Sequence, residues 1–480
     1  MLIGESNKAD TRRSLVLAGG GMRVAYQAGV LMALEEAGMT FHHADGTSGG
    51  IFNSAMLASG LDSRTIAQRW RKLKIKYFLS TRRVGEYLKL WKMEGMGDAD
   101  NIRKKVFPHL GIKMESVHKL KMPVTFNVCN FTEKSVQAIP APVVTEDHLI
   151  AGVSLPIFMP AIKINGDWYI DAVWIKDANL MEAVKRGAEE IWLVWAIGNY
   201  PSYLGGALHQ YVHSIEMSAN GALWEEFEQI KLLNHLISQG EAVYGQKKPI
   251  KLFVIKPPFP LPLDSDLFFN RVSTRELINM GYEHAKTYLH NCPGDGEVMD
   301  NQVTKTPDTG DVLSFRGTFV NLIEWGGKST KLRYYVYFRF AEHTEQEYHL
   351  DLFSSVFIAN LKTESPVFFH IIRKRNTNGN IILEAEADLI ITGTAYRLRV
   401  EWVLKGAISY MMGLEFKKSS FLIYPKSGVN PKPVCECVLY QSFLDRVKAL
   451  LSTHLRRRDG TKGGLLKKYA MMSKFMDYEV

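Results

Sequence analysis

The chain has 480 residues, 46% of them hydrophobic and 23% charged, with a formal net charge of +9. That length calls for two or three domains, and the apolar content suffices to build their cores. The four cysteines, Cys129, Cys292, Cys435 and Cys437, exclude a disulfide framework and a paired-cysteine metal site, no run of about 18 apolar residues offers a membrane-spanning helix, and the positive balance points to an acidic partner surface, anionic lipid or nucleic acid.

Met1 to Arg13 is polar and does not read as a signal peptide. Ser14-Leu15-Val16-Leu17-Ala18 is a short apolar run of strand type and ends directly on Gly19-Gly20-Gly21-Met22-Arg23. Val24 to Ala37 reads as a helix, with Val30, Leu31, Leu34 and Ala37 at helical spacing and Gly38 just past its end. Met39 to Ala44 leads into Asp45 and then Gly46-Thr47-Ser48-Gly49-Gly50, after which Ile51 to Ala58 is again helical and stops at Gly60. The order is strand, glycine loop, helix, strand, G-x-S-x-G, helix. A serine hydroxyl is a weak nucleophile unless a sharp turn presents it and a base accepts its proton. G-x-S-x-G between a strand and a helix supplies that turn, with Gly46, Thr47, Gly49 and Gly50 forming the elbow around Ser48. The upstream glycines offer bare backbone N–H groups to an oxyanion. A dinucleotide-binding unit shares part of this pattern, but its third glycine falls on Val24, and no Gly-Lys-Ser/Thr follows to make a P-loop. His42 and His43 lie on the strand before the elbow and are expected to alternate between core and surface, not to act as catalytic bases.

Arg69 to Lys92 interleaves nine basic residues with Trp70, Tyr77, Phe78, Tyr87 and Trp91, a mixture suited to a membrane interface or to single-stranded nucleic acid, and equally to a solvated helical face over buried aromatics. Cys292-Pro293-Gly294-Asp295-Gly296 closes the last helical stretch of the first half, and polar residues to Asp311 read as a linker. Six β-type runs follow, at 312–323, 332–340, 348–357, 367–372, 381–387 and 396–403, with Asn378-Gly379 as a turn, so a sandwich or barrel is expected. Cys435-x-Cys437 fits alternation on a strand. Gln441 to Leu455 looks helical, and from Arg456 a basic, apolar-interleaved segment has the composition of an amphipathic tail on anionic lipid.

The first 290 or so residues resemble the patatin-like phospholipase family. The resemblance rests on the glycine loop, the elbow, Val124–Val128 with Cys129-Asn130-Phe131-Thr132, Ser154-Leu155-Pro156-Ile157-Phe158-Met159-Pro160, Ile164 to Ala172, and Ala183–Gly187 with Ile191–Trp195. It implies a three-layer α/β sandwich with a mostly parallel central sheet. It also implies a histidine-free dyad of Ser48 as nucleophile and Asp171 as base, and an oxyanion hole from the N–H groups of Gly19, Gly20, Gly21 and Met22, with Arg23 steadying the loop or meeting an anionic headgroup. No cofactor or metal is implied. Two positions depart from the family pattern, Val24 after the arginine and Ala172 after the aspartate, where glycines are usual.

The expected organisation is therefore a patatin-like acyl hydrolase domain over 1–295, a linker over 296–311, an antiparallel β-rich accessory domain over 312–440 and a helical basic tail over 441–480. The expected activity is hydrolysis of phospholipid or another acyl ester. The alternative is a lipid-binding scaffold of weak or no activity on the same fold. The expected setting is cytoplasmic, with peripheral contact to anionic membrane and no nucleic-acid role.

Overall fold

The computed structural model describes Leu2 and residues 11–78, 97, 99–197, 199–241, 243–261, 272–307, 310–342, 348–377, 380–404, 418–426, 431–458 and 461–477. The basic cluster beyond Phe78 and the Asn378-Gly379 turn lie outside the described residues. Chain contacts divide the molecule into Met1–Pro307 and Asp308–Val480.

In the first unit, β1 (Arg13–Leu17) leads through a 3₁₀ turn (Gly21–Val24) into α1 (Ala25–Glu36), then β2 (His43–Thr47), α2 (Gly50–Ala58) and α3 (Ser63–Lys72). There follow β3 (Val124–Asn130), β4 (Ser135–Pro140), α4 (Glu146–Ala151) and the hairpin of β5 (Ile162–Ile164) and β6 (Asp167–Asp171). The unit continues through α5 (Leu180–Lys185), β7 (Glu190–Val194), α6 (Ala207–Ser238), β8 (Lys251–Ile255) and α7 (Thr274–His290).

The sheet order is β5-β6-β3-β2-β1-β7-β8, with β4 also on β3. β1 is parallel to β2 and to β7, so the chain winds outward from β1 to β3 and returns to β7 on its other side. A crevice is expected at the carboxyl end of β1, where the winding direction reverses, and the glycine loop leaves β1 there. The sequence reading of a mostly parallel α/β sheet holds. Four parallel pairings carry it, and the β4, β5 and β6 pairings are antiparallel.

Helices cover both faces. On one, Leu180, Ala183 and Val184 of α5 and Ala219, Leu223, Phe227 and Ile230 of α6 bury Val16, Ile191, Leu193, Leu252 and Val254 of the sheet. On the other, α1 is buried on all sides from Ala25 to Leu34, because α7 packs against it with backbones nearly touching. A Cβ at Gly29 would overlap the Ile278 carbonyl, and one at Gly281 the Tyr26 carbonyl.

Residues expected to form the linker pack largely on this unit. Glu297 N–H donates to Leu252 at 2.7 Å, the Thr304 hydroxyl to Asn220 at 2.7 Å and the Thr306 hydroxyl to the Asn199 carbonyl at 2.6 Å.

The second unit is an up-and-down antiparallel barrel of β9 (Val312–Trp325), β10 (Lys328–Glu342), β11 (Tyr348–Ile358), β12 (Thr363–Thr377), β13 (Asn380–Ile391), β14 (Thr394–Leu404), β15 (Lys418–Pro425) and β16 (Cys435–Tyr440). β9 pairs with β10 along one edge and with β16 on the other, which closes the ring. Cys435 is buried and Cys437 half-buried on β16, the expected alternation. The C-terminal segment folds back instead of trailing. After α8 (Phe443–Ser452), β17 (His454–Arg456) adds to β9, and α9 (Leu465–Asp477) buries Met471, Met472 and Phe475 among barrel residues. Lys468 donates to the Thr453 carbonyl at 2.8 Å and Lys474 pairs with Glu342 at 3.3 Å, so part of the tail's basic charge is answered within its own unit.

Candidate active site

Ser48 stands between β2 and α2 with φ 50°, a left-handed conformation that costs a non-glycine residue about 1–2 kcal/mol. The glycines around it are steric requirements. A Cβ at Gly46 would collide with the Ser54 side chain, one at Gly49 with the Gly21 carbonyl and one at Gly50 with the Leu17 carbonyl. The elbow is thus wedged between its own helix and the glycine loop, and Ser48 is only 4% exposed.

Asp171 arrives by a different route, and the sheet explains the meeting. One edge of β3 is shared. Its first half pairs in parallel with β2, ending at Thr47 opposite Asn127. Its second half pairs antiparallel with β6, ending at Asp171 opposite Val128. Adjacent β3 residues therefore hold the ends of two strands running toward each other. Ser48, one residue past Thr47, donates its hydroxyl hydrogen to Asp171 Oδ2 at 2.6 Å across 123 positions of sequence. Val173 N–H donates to Oδ1 at 3.0 Å. Asp171 is fully buried, and that burial pushes its carboxyl up to about 7 against the opposing pull of the Ser48 and Val173 hydrogen bonds.

The two departures from the family pattern carry no backbone strain. Ala172 opens a right-handed 3₁₀ turn, and Val24 sits at φ −63°. Neither position needs the positive φ that would demand glycine.

The glycine loop is differently employed than expected. Gly20 and Gly21 take φ 141° and 60°. Gly19 N–H is already donated to the Asp177 carbonyl and Arg23 N–H to the Gly20 carbonyl, each at 3.2 Å, which removes both from the expected oxyanion set. The N–H groups of Gly20, Gly21, Gly49 and Gly50 have no partner among the described residues. The last two lie at the N-terminus of α2, where the helix dipole favours negative charge. Arg23 is 9% exposed and its Nε donates to the Gly20 carbonyl at 2.9 Å. It braces the loop from inside; a headgroup contact does not fit that burial.

Behind the elbow lies a buried polar network. Asn127 Nδ2 donates to Asp45 Oδ1 at 2.6 Å and to Thr47 Oγ1 at 2.9 Å, while its Oδ1 accepts from Asn179 at 2.8 Å. Burial pushes the Asp45 carboxyl up to about 7, with Thr125 and Asn127 pulling it back. His43 bonds to Thr125 at 2.9 Å and Ser14 at 3.3 Å, and burial depresses its imidazole to about 3. His42 accepts from Arg13 N–H at 3.1 Å. His43 is buried and His42 half-buried, and β2 is buried along its whole length instead of alternating between core and surface.

Two features were not read from sequence. Asp177 is 1% exposed beside the glycine loop, and among the described residues neither of its carboxylate oxygens has a well-formed hydrogen bond. Tyr211 of α6 donates to the Pro156 carbonyl at 2.8 Å and presents ring edges to Phe158 and Trp174 at 5.2 and 5.3 Å. These aromatics, with Ile157 exposed at φ 75°, form an apolar wall next to the segment that carries Asp171. Trp70, read from sequence as part of a basic aromatic cluster, is fully buried and donates to Asn53 at 2.8 Å, which fits a solvated basic face over buried aromatics at this position.

Residues 15–184 match the family model for patatin-like phospholipase. The match reaches from β1 to α5 and includes both Ser48 and Asp171. A stretch of 180 residues is 27% identical to Lysophospholipase NTE1 of Candida glabrata, which amounts to 38% of this chain and 10% of that one. The chain thus spans about a tenth of that relative's length. Among solved structures, VipD from Legionella pneumophila aligns over 59% of this chain and 67% of its own at 12% identity, with a TM-score of 0.31.

Proposed function

We propose that the patatin-like domain is a serine-dependent lipid acyl hydrolase working through a Ser48–Asp171 dyad. The observation that carries this reading is the 2.6 Å hydrogen bond from a nucleophile-elbow serine to a buried carboxylate. Ser48 Oγ attacks the ester carbonyl carbon while its proton passes to Asp171 Oδ2. The N–H groups of Gly20, Gly21 and Gly49 are the best-placed donors for the oxyanion. The intermediate collapses, the ester C–O bond breaks, and Asp171 returns the proton to the leaving alcohol. Water then attacks the acyl-serine, gives its proton to Asp171, and the released Ser48 oxygen recovers it as the fatty acid departs. An Asp raised to about 7 is a far stronger base than a solvated one and is still ionised in part at neutral pH.

The substrate class we infer is a phospholipid, lysophospholipid or related acyl ester, its chain lying along the Phe158–Tyr211–Trp174 wall. The formal charge of +9 supports peripheral contact with anionic membrane, and four free cysteines suit a reducing, cytoplasmic setting. The test pairs fluorogenic acyl esters with a serine-reactive fluorophosphonate probe on the natural chain, Ser48→Ala and Asp171→Asn. Turnover and labelling should vanish in the first variant, and turnover should fall by about 10³-fold or more in the second. Equal signals from the natural chain and Ser48→Ala would leave the lipid-binding scaffold as the correct reading.

A further inference from the structure

We propose that Asp177 is a positioning residue that serves as an uncharged acid: it keeps its proton throughout the reaction, packs against the glycine loop, and shuts the site down when it ionises. The proposal rests on the Ser48–Asp171 reading above and adds a third carboxyl to it.

Three observations place Asp177. A Cβ at Gly19 would overlap Asp177 Oδ1 and would come within 2.7 Å of Ser48 Cβ, so Gly19 is the spacer between the nucleophile and this acid. Gly19 N–H donates to the Asp177 carbonyl at 3.2 Å, which ties the chain six residues past Asp171 to the start of the oxyanion loop. Among the described residues neither buried carboxylate oxygen has a well-formed hydrogen bond, and the Gly19 N–H, already directed to the Asp177 carbonyl, favours the charged form only as the weakest influence on it. A buried carboxylate without good hydrogen bonds is far more costly than the neutral acid in the same place, so burial favours the protonated form.

The groups facing Asp177 favour the same state. Asp171 lies on the strand end before it and repels a second negative charge, and Arg23 of the turn after β1 is the cation that attracts one. Arg23 is shared. Its Nε donates to the Gly20 carbonyl at 2.9 Å, its Nη1 has no hydrogen-bond partner among the described residues, and its charge also answers Glu216 of α6, which is itself 3.2 Å from His213. Tyr211 of the same helix feels the Asp171 charge as well. Burial, then the charge of Asp171, holds the Asp177 carboxyl well above the usual carboxylate range.

The functional consequence follows from position. An oxyanion held by Gly20, Gly21 and Gly49 forms within a residue or two of Gly19. A second anion behind that loop would oppose it and would also make Asp171 harder to ionise. With Asp177 neutral, the loop sees a dipole it can tolerate, and Asp171 is the acid that ionises first.

The experiment is a pH–rate profile of kcat/KM on an acyl ester for the full chain, Asp177→Asn and Asp177→Ala, alongside infrared difference spectra. The natural chain should lose activity by roughly a hundredfold on the alkaline side, the scale of losing one oxyanion donor. Asp177→Asn, near-isosteric and unable to ionise, should keep the acid limb and lose the alkaline one. Asp177→Ala should lower kcat at every pH by removing the packing behind Gly19. The spectrum of the natural chain minus Asp177→Asn should contain a carboxylic-acid C=O band at pH 8. An Asp177→Asn profile superimposable on the natural one, or a missing acid band at pH 8, would overturn the proposal. Absence of any Ser48-dependent turnover would refute the hydrolase reading instead, and the infrared band would still decide the protonation of Asp177.

Discussion

Replacing Asp171 by Asn should give an enzyme that is almost inactive and, above neutral pH, more stable than the natural chain. The carboxyl moves from 3.8 to about 7 because burial penalises its charge more than the Ser48 and Val173 hydrogen bonds offset. A rise of that size corresponds to about 4 kcal/mol between the protonated and ionised forms. A carboxyl raised in the folded state binds its proton more tightly there than in the unfolded chain. Its contribution is therefore fully present below about pH 4 and is lost as pH rises through about 7. Asp171→Asn removes that slope while its amide can still accept from Val173 N–H and bond to Ser48. The gap in stability should be near zero at pH 4 and reach a few kcal/mol at pH 8, measured by urea unfolding with amide exchange in β2 and β3 as the local probe. The same raised carboxyl sets the rate. Activity of the natural chain should fall about tenfold per pH unit below 7, since only ionised Asp171 can accept the Ser48 proton. An acid limb centred near pH 4, or an Asp171→Asn chain less stable than the natural one at pH 8, would refute the assignment of a desolvated base.

Asp45→Asn should flatten the stability–pH slope by a comparable amount, because the Asp45 carboxyl is also raised to about 7, yet it should leave the acid limb of the rate profile in place. Ser48→Gly should exceed Ser48→Ala in stability by about 1 kcal/mol by denaturant unfolding, because glycine relieves the φ of 50°. Asn127→Ala should cost about 3 kcal/mol and lower kcat more than it raises KM, because it orphans Asp45, Thr47 and Asn179 together. Gly50→Ala should cost about 3 kcal/mol with loss of turnover, its Cβ meeting the Leu17 carbonyl, whereas Gly38→Ala, at φ 71° with nothing within 4 Å of the new Cβ, should cost about 1 kcal/mol and leave turnover unchanged.

The sequence exposes this site where the backbone itself is the constraint. Gly19, Gly46, Gly49 and Gly50 are glycines because a Cβ would overlap a neighbour, and Gly20 and Gly21 because they take positive φ; such positions leave a fixed pattern. The hairpin before Asp171 is legible for the same reason, since Asn165 and Gly166 both take positive φ. What stays hidden is set by partners distant in sequence. Trp70 sits in a basic run, and only Asn53 of α2 reveals that its indole points inward. The polar stretch after Gly296 resembles a linker until Asn199 and Asn220 are seen to receive its threonines. Strands β15 to β17 and the buried face of α9 depend on closure of the barrel, which no local periodicity records. Asp177 carries no motif at all; its meaning comes from what Gly19 leaves room for.

Three buried carboxyls surround one nucleophile, and hydrogen bonds sort them into separate jobs. Asp45 and Asp171 are each held by two donors and are raised to a similar degree, so proton affinity alone does not choose between them. Geometry chooses. The donors to Asp45 are Thr125 and Asn127 on the neighbouring strand, so its charge locks β2 to β3. One donor to Asp171 is Ser48, the proposed nucleophile, so in the proposed mechanism its charge acts on the reacting proton. Asp177 has no well-formed hydrogen bond to either oxygen among the described residues, and it is the one proposed to remain an acid. The β3 edge that brings β2 and β6 end to end therefore does more than join two distant residues. It decides which of three chemically similar carboxyls meets the serine, and in the proposed dyad burial has moved that carboxyl into the range where it can serve as a base without a histidine.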